Sequence, residues 1–331
     1  MKAFIKAIDY YLPGKELTNE DLVREFPDWT VEKIASKVGI QKRHIADEGE
    51  TATDLAIGAA EKLFAQGIEK SNVDYILFCT QSPDYLLPTS ACIIQDRLGL
   101  SKNIGALDFN QGCSGYVYGL SLAKGLITAN IAKNVLLLTG ETYTKHLHPM
   151  DKGNRTIFGD GASATLVSTE GFAEIGDFCL GTDGSGAGKL IMRTGGARNP
   201  DKEDRVEFDE NGNPVSMDHI YMNGSEIFSF TLSAVPALVD NTLKRNNVDK
   251  SEVDLFVFHQ ANQYMLDFLR KKLKIDEDKF YVHMSEVGNT VSSTIPIALR
   301  EALGEGIMKP RMRVLLCGFG VGLSWGGCLL G

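Results

Sequence analysis

An internal repeat constrains the fold of this chain more than any other feature. Residues 68–79 and 248–259 carry the same Lys, Ser, Val, Asp and Phe at positions 180 residues apart. Two further pairs of segments are similar in the same order along the chain: residues 135–138 with 314–317, and residues 158–163 with 319–324. Collinear similarity across half the chain indicates a duplicated structural unit.

The spacing of the repeat locates an insertion. The offset falls from 179 residues at the second pair of segments to 161 at the third, so the first copy holds about 18 extra residues, between Thr139 and Ile157. Residues 140–155 are mostly polar and contain Pro149 and two glycines. This composition predicts a long functional loop.

Each copy alternates short apolar runs with longer stretches of helical period. Residues 75–78 and 255–258 are typical of buried strands, whereas residues 52–65 place apolar side chains on one helical stripe. This alternation predicts βαβ units with helices on both faces of a mainly parallel sheet, and two such units make an α/β protein, an αβαβα sandwich. We expect an N-terminal half at 1–170 and a C-terminal half at 171–331, with a surface excursion at 198–218.

The composition argues against several classes of protein. The 331 residues are 43% hydrophobic and 23% charged, and the formal net charge of −9 disfavours a surface that follows nucleic-acid phosphates. The first residues carry charges within their apolar stretch, unlike a signal peptide, and no apolar run approaches the roughly 20 residues that span a bilayer. We therefore expect a cytoplasmic protein that binds neither nucleic acid nor membrane.

The cysteines and histidines give no metal signature. Six scattered cysteines form no Cys-x-x-Cys pair, and His146 with His148 is the one close pair of histidines. A protein of the cytoplasm keeps its thiols reduced, and a His-x-His pair in a polar segment more often decorates a loop than binds an ion. We expect no metal site.

Cys113 differs from the other cysteines in its setting. It lies between Gly112 and the pair Ser114-Gly115, after an extended run and at the predicted start of a helix. A helix N-terminus presents free amides and positive partial charge, which lower the pKa of a thiol and stabilise an oxyanion. A cysteine is more often a small buried hydrophobe, and we assign that role to the other five. The flanking glycines favour a nucleophile at Cys113.

His259 and Asn289 are the candidate partners of Cys113. His259 follows the predicted strand of the second copy, at the reactive edge of a parallel sheet, although a lone histidine there is more often structural. The repeat strengthens its candidacy, because an offset of about 176 residues brings Asn289 onto Cys113, each in a strand-to-helix turn. Two related turns would bring all three side chains into one pocket.

Six motifs follow one another along the chain: residues 39–44, the Cys113 turn, Phe158-Gly-Asp-Gly, His259-Gln-Ala-Asn, Gly288-Asn-Thr and Phe319-Gly-x-Gly-Leu-Ser-Trp-Gly. In these motifs, and over nearly its whole length, the chain resembles the 3-oxoacyl-acyl-carrier-protein synthase III family of the thiolase-like superfamily. The resemblance implies a thiolase-like five-layered αβαβα sandwich. The Cys, His and Asn set resembles the initiating branch, since elongating enzymes use two histidines and thiolases a second cysteine.

The resemblance also implies a decarboxylative Claisen condensation. Cys113 would accept the acyl group of an acyl-coenzyme A, with the backbone amides of Cys113 and Val321 forming the oxyanion hole. His259 and Asn289 would donate hydrogen bonds to the thioester of malonyl-acyl-carrier protein and stabilise the enolate that decarboxylation releases. Attack on the acyl-enzyme would give 3-oxoacyl-acyl-carrier protein. Coenzyme A and carrier-protein thioesters are then the substrates, and no cofactor is implied.

Further residues acquire binding roles through the resemblance. For coenzyme A and the carrier protein these are Trp29, Lys37, Lys152, Asn262, Lys271 and Lys272. For the acyl pocket they are Leu87, Phe158 and Phe319, with the region of Leu87 reaching the neighbouring site of a homodimer. Lys152 stands where the family usually has an arginine.

Two other functions fit the same residues. A non-decarboxylating acyltransferase or head-to-head condensing enzyme would use Cys113 without loss of carbon dioxide from a malonyl group. A noncatalytic carrier-binding subunit would retain the fold and form no S-acyl adduct. Product masses with and without malonyl-acyl-carrier protein, and the intact mass of the protein after exposure to acyl donors, distinguish these hypotheses.

Overall fold

The computed structural model describes residues 1–209 and 212–331. The strands within these residues are β1 (Phe4–Tyr11), β2 (Lys15–Thr18), β3 (Lys42–Ile45), β4 (Tyr75–Cys79), β5 (Gly105–Phe109), β6 (Asn134–Glu141), β7 (Gly161–Ser168), β8 (Ala173–Thr182), β9 (Leu190–Ile191), β10 (Val206–Phe208), β11 (Pro214–Ser216), β12 (Tyr221–Met222), β13 (Leu255–Phe258), β14 (Phe280–Tyr281), β15 (Val314–Gly320) and β16 (Ser324–Leu330). The helices are α1 (Asn19–Glu25), α2 (Val31–Val38), α3 (Ala52–Phe64), α4 (Ser90–Arg97), α5 (Gly115–Thr128), α6 (Lys152–Arg155), α7 (Gly224–Arg245), α8 (Gln263–Leu273) and α9 (Thr294–Gly304).

The two halves of the chain repeat one strand order. In the first half the order across the sheet is β5-β4-β6-β7-β1, and in the second half it is β14-β13-β15-β16-β8. Each strand of the first half therefore has a counterpart at the same place in the second. The duplication predicted from the repeat is confirmed.

Helices and strands alternate in five layers. α5 and α9 lie in the centre, where their apolar side chains pack against strands of both halves. α3 and α4 cover the outer face of the first half, and α7 and α8 cover the outer face of the second. The predicted αβαβα sandwich is confirmed.

The large sheet is mixed, and the prediction of a mainly parallel sheet was wrong. β4 and β13 each pair in parallel with two neighbours, but β7, β16, β1 and β8 form antiparallel ladders, and β1 pairs with β8 to join the halves. The cause is visible at residues 321–323, which connect β15 directly to β16. A connection this short allows only an antiparallel return, because a parallel one needs a crossover of about a dozen residues.

The segments predicted as surface insertions carry short elements of their own. Residues 140–155 contain the end of β6, the 3-10 helix Tyr143–His146 and α6. The predicted excursion at 198–218 contains the β10–β11 hairpin, and its residues 210 and 211 lie outside the described part of the chain. Among the described helices, none combines the length and apolarity that a membrane crossing requires.

Arg43 ties the N-terminal segment to the second of these loops. Its guanidinium is fully buried and donates hydrogen bonds to Asn19 Oδ1 at 2.7 Å and to the Thr156 carbonyl at 2.5 Å. Thr156 lies two residues before Phe158, so this buried donor fixes the backbone that leads into the candidate site.

Candidate active site

Cys113 lies in the turn that connects β5 to α5, and glycines let the neighbouring chain close over it. The side chain is 6% exposed. A β-carbon at Gly320, the last residue of β15, would lie 2.8 Å from Cys113 Sγ, and one at Gly112 would lie 2.3 Å from Val321 Cγ1. Only glycine permits such a close approach of backbone and thiol.

Burial sets the protonation state of Cys113. It raises the pKa of the thiol to about 12, although the backbone N–H of Val321 and that of Cys113 itself favour the thiolate. The lowered pKa predicted for a thiol at a helix N-terminus is therefore wrong for the free protein, because desolvation outweighs the amides. The thiol is protonated at neutral pH and needs a proton acceptor before it can attack.

His259 follows β13 and supplies such an acceptor. Its ring is 2% exposed, and burial lowers its pKa to about 3, so the imidazole is neutral. Nδ1 lies 2.7 Å from Thr294 Oγ1, and that hydroxyl also lies 3.1 Å from the Val291 carbonyl. Thr294 can therefore accept from or donate to Nδ1, which fixes the ring and leaves Nε2 for the cavity.

Asn289 is held by contacts with both halves. Its backbone N–H donates to the Ile157 carbonyl at 2.9 Å, and its own carbonyl accepts from Gly159 at 3.1 Å. The side-chain Oδ1 accepts from Val291 N–H at 2.9 Å. Because Oδ1 is occupied by a donor, Nδ2 is the group that Asn289 offers, and it contacts the Ala261 carbonyl at 3.4 Å.

The three side chains line one cavity of about 130 Å³. Its walls are mostly apolar, and the described residues that line it include the predicted Phe158, Phe319 and Asn262. A neutral base, an amide donor and a thiol thus meet in a dry pocket, which is the arrangement that acyl transfer and enolate stabilisation require.

Comparisons with known proteins agree with this site. Sequence profiles for 3-oxoacyl-[acyl-carrier-protein (ACP)] synthase III match residues 107–184, and for the C-terminal part of that protein residues 243–331. The chain is similar to the beta-ketoacyl-[acyl-carrier-protein] synthase III of Clostridium perfringens, with 36% identity over 322 residues that cover 97% of this chain and 96% of the relative. The chain belongs to the synthase III family.

Solved structures of the synthase III family share the whole fold. A crystal structure of a 3-oxoacyl-(acyl-carrier-protein) synthase III is 52% identical, with a TM-score of 0.97, and the match covers 100% of this chain and 99% of that one. The 3-oxoacyl-(acyl-carrier protein) synthase of Burkholderia xenovorans is 36% identical, with a TM-score of 0.91, covering 100% and 94%. The predicted thiolase-like fold is confirmed.

The residues that synthase III resemblance assigned to coenzyme A gather at one surface. Lys37 Nζ lies 5.6 Å from the centre of the Trp29 ring, and Lys152 Nζ donates to the adjacent Asp28 at 2.7 Å. Lys37 is in α2, which packs against α8, and the α8 N-cap Asn262 lines the cavity. These cations therefore lie on the side of the molecule from which Asn262 faces the cavity.

Three other predicted binding residues lie apart from the cavity. Lys271 and Lys272 occupy the last turn of α8, about 14 Å along the helix from Asn262. Lys272 Nζ donates to the Leu232 carbonyl at 2.8 Å. Leu87 is 82% exposed, so its predicted place in an acyl pocket requires a second subunit.

The repeat related the two turns correctly but not residue by residue. In the parallel ladders Phe280 stands where Ala106 does, an offset of 174, whereas the helix caps Ser114 and Ser293 are offset by 179. The second turn is therefore longer than the first. By helix position the counterpart of Cys113 is Ser292, and Asn289 belongs to the longer part of the turn.

Sequence reasoning missed a polar group beside the nucleophile. The Tyr143 hydroxyl donates to Gln81 Oε1 at 2.5 Å, and the Gln81 backbone N–H donates to the buried carboxyl of Glu141 at 3.0 Å. Tyr143 packs in one apolar cluster with Cys113 and Phe158. The available signal was the predicted insertion itself, since it begins at Gly140 and contains Tyr143.

A second missed cluster lies away from the site. One ligand atom each from His283, Glu301 and Glu305 lie within 4.8 Å of one another, close enough to hold a metal ion. Glu301 and Glu305 are at the C-terminal end of α9, whereas Thr294 at its first position contacts His259. The cluster is therefore separated from Cys113 by the length of this helix.

Proposed function

We propose that this synthase III condenses an acyl-coenzyme A primer with malonyl-acyl-carrier protein and releases 3-oxoacyl-acyl-carrier protein, coenzyme A and carbon dioxide. The observation that carries the proposal is that Cys113, His259 and Asn289, from separate turns of the two halves, line one buried cavity. The alternatives of non-decarboxylating transfer and carrier binding alone make no use of a neutral histidine paired with an amide donor.

In the first half-reaction the thiol of Cys113 loses its proton to neutral His259 and the sulfur attacks the thioester carbon. The N–H groups of Cys113 and Val321, which already face the sulfur, stabilise the oxyanion. The bond to the coenzyme A sulfur breaks as the new thioester forms, and the departing thiolate takes the proton from His259. The enzyme is left S-acylated with a neutral imidazole.

In the second half-reaction His259 and Asn289 act on the malonyl thioester. Nδ2 of Asn289 and an Nε2–H tautomer of His259 donate to its carbonyl oxygen, and Thr294 supports that tautomer by donating to Nδ1. Carbon dioxide leaves, the enolate carbon bonds to the acyl carbon, and the Cys113 thiolate departs. The chemistry needs no metal or organic cofactor, and we propose that none is used.

We further propose binding surfaces for the two thioesters. Trp29, Lys37 and Lys152 form an aromatic and cationic surface suited to the adenine ring and phosphates of coenzyme A. Lys271 and Lys272, at the exposed end of α8, suit an acidic carrier protein by charge complementarity. Substrates of this kind support a place in the cytoplasm.

We propose that the functional unit is a homodimer. Tyr85, Leu86 and Leu87 form an apolar segment whose side chains are 63%, 89% and 82% exposed. β5 lies at the free edge of the sheet, with Leu107 exposed on it. A second copy of the chain is the occupant that covers both an unpaired strand edge and an apolar loop.

Rates of malonyl-acyl-carrier-protein decarboxylation test the proposed function. We expect a loss of at least 10²-fold in His259→Ala and in Asn289→Ala, because each removes a donor to the developing enolate. Intact mass after exposure to acetyl-coenzyme A should show one added acyl group in the wild type and none in Cys113→Ser. Asn103→Ala, on the exposed surface, is the matched control. Unchanged decarboxylation in both active-site variants would refute the proposal.

A further inference from the structure

A second cavity adjoins the nucleophile on the side opposite His259 across Val321. It measures about 280 Å³ and shares Leu190 with the first cavity. A β-carbon at Gly112, the residue before Cys113, would lie 2.3 Å from Val321 Cγ1 and 2.7 Å from Gln81 Oε1, and both Val321 and Gln81 line the second cavity. This cavity therefore begins within one residue of the reactive sulfur.

The two walls of the second cavity differ in polarity. One wall is apolar and is formed by Leu190, Ile191, Met192, Ile220 and Val321. The other wall carries Gln81, Asn110, Tyr143 and His146. A ligand that fills the cavity meets hydrocarbon on one side and hydrogen-bonding groups on the other.

Hydrogen bonds fix the polar wall and determine what it offers. Tyr143 donates to Gln81 Oε1 at 2.5 Å, and Gln81 Nε2 donates to Asn110 Oδ1 at 3.0 Å. Both amide oxygens are thus occupied. The groups left for a ligand are N–H donors, the second N–H of Gln81 and the amide of Asn110, so the matching ligand atom is an acceptor oxygen.

The wall is held from behind, so it does not rearrange freely. The Gln81 backbone N–H donates to both oxygens of the buried Glu141 carboxyl, at 3.1 and 3.0 Å, and Ser82 Oγ donates to it at 3.2 Å. Burial also raises the pKa of Tyr143 well above its usual value, which keeps its hydroxyl a donor. Preorganised donors of this kind discriminate between ligands.

The acceptor oxygen is a neutral one. Neither lysine nor arginine is among the described residues that line this cavity. Burial, together with nearby Lys202, lowers the pKa of His146, so its ring is neutral at physiological pH. A carboxylate would be desolvated here without a counter-ion, whereas a hydroxyl or keto oxygen would be satisfied by the amides.

We infer that this second cavity receives the primer acyl group and selects short acyl chains that carry a hydroxyl or keto oxygen near the thioester, such as 3-hydroxyacyl or 3-oxoacyl groups. The inference rests on the proposed function, in which Cys113 is acylated by acyl-coenzyme A. A plain alkyl chain of the same length would leave the amides of Gln81 and Asn110 without partners, which is where the discrimination arises.

The test compares Cys113 acylation by 3-hydroxybutyryl-coenzyme A and by butyryl-coenzyme A, followed by intact mass. We expect the hydroxylated donor to react about tenfold faster, the value of one to two hydrogen bonds. In Gln81→Leu that ratio should fall to about one, because the leucine keeps the volume and removes the amide. Gln66→Leu changes an amide that is bonded to Asp9 on the surface and should keep the tenfold ratio.

A second variant keeps the test decisive if Gln81→Leu does not fold. Tyr143→Phe removes only the hydroxyl that orients Gln81, and it should lower the ratio in the same direction. Equal rates for the two donors in the wild type, or a faster reaction with butyryl-coenzyme A, would overturn the inference while leaving the proposed function intact. No acylation by any donor would instead refute the proposed function.

Discussion

At the scale of single residues, burial controls the chemistry of the site. It raises the pKa of Cys113 to about 12 and lowers that of His259 to about 3, so the resting pair consists of a neutral thiol and a neutral imidazole. Proton transfer between them is then coupled to attack on the substrate rather than completed in advance. A water-exposed thiolate would be oxidised more readily than this buried thiol.

Glu141 is the residue at which this burial has a measurable effect on stability. Burial raises the pKa of its carboxyl from 4.5 to about 8. Between these values the folded protein binds more protons than the unfolded chain, so the free energy of unfolding falls as the pH rises from 5 to 8. We expect Glu141→Gln, which does not titrate, to remove on the order of 3 kcal/mol of this decrease.

Chemical denaturation at pH 5 and pH 8 checks the prediction for Glu141. The stability of Glu141→Gln relative to the wild type should increase with pH, whereas Glu48→Gln, at an exposed position, should follow the wild type. Asp160, whose pKa burial also raises, is present in all three proteins and cancels from the comparison. Parallel pH dependence in the wild type and Glu141→Gln would contradict the assignment.

The sequence predicts residues with a distinctive local setting better than residues with an ordinary one. Cys113 is flanked by glycines, and the repeat supplied His259 and Asn289, so all three were found without a structure. Gln81 and Tyr143 are 62 positions apart and have no local pattern. Their contact exists only because β4 and β6 are neighbours in the sheet, which periodicity does not reveal.

At the scale of elements, the site depends on how closely β15 approaches the start of α5. The strands and helices themselves were predictable from apolar runs and helical period, whereas the mixed pairing of the sheet was not, because it depends on the length of the β15–β16 connection. The close approach was likewise invisible, because a glycine in a strand signals nearby backbone without naming its partner.

A matched pair of glycine substitutions tests this approach. Gly320→Ala would place a β-carbon 2.8 Å from Cys113 Sγ and Cβ, so we expect the acylation rate to fall by at least 10²-fold as the thiol is displaced. Gly125→Ala lies on the exposed face of α5 with open space around it, and should stabilise the protein by about 1 kcal/mol without loss of rate. Stopped acylation assays and thermal unfolding measure both. Full acylation activity in Gly320→Ala would contradict the close approach.

At the scale of the whole molecule, one half supplies the thiol and the other supplies the histidine and the amide. The central helices α5 and α9 hold these turns together, because both pack against strands of both halves. The duplication was readable in the sequence as the repeat. The apolar segment at Tyr85–Leu87 was expected to reach a second subunit only through the family resemblance.

Light scattering coupled to size exclusion tests the proposed homodimer. We expect a mass of two chains for the wild type and of one chain for Leu86→Asp/Leu87→Asp, because two charges would be desolvated at the interface. Ile131→Asp places the same charge at another exposed apolar position and should leave the mass unchanged. A wild-type mass of one chain at micromolar concentration would refute the homodimer.

The position that the duplication relates to Cys113 shows what joining the halves in one chain allowed. There Ser292 donates to Glu141 at 3.2 Å, and Cys79, the counterpart of His259, accepts no imidazole role and contacts the Gln111 carbonyl at 3.0 Å. Two identical units would have to carry the same residues in both turns. A single chain lets each turn diverge alone, so one became the reaction centre and the other the buttress behind it.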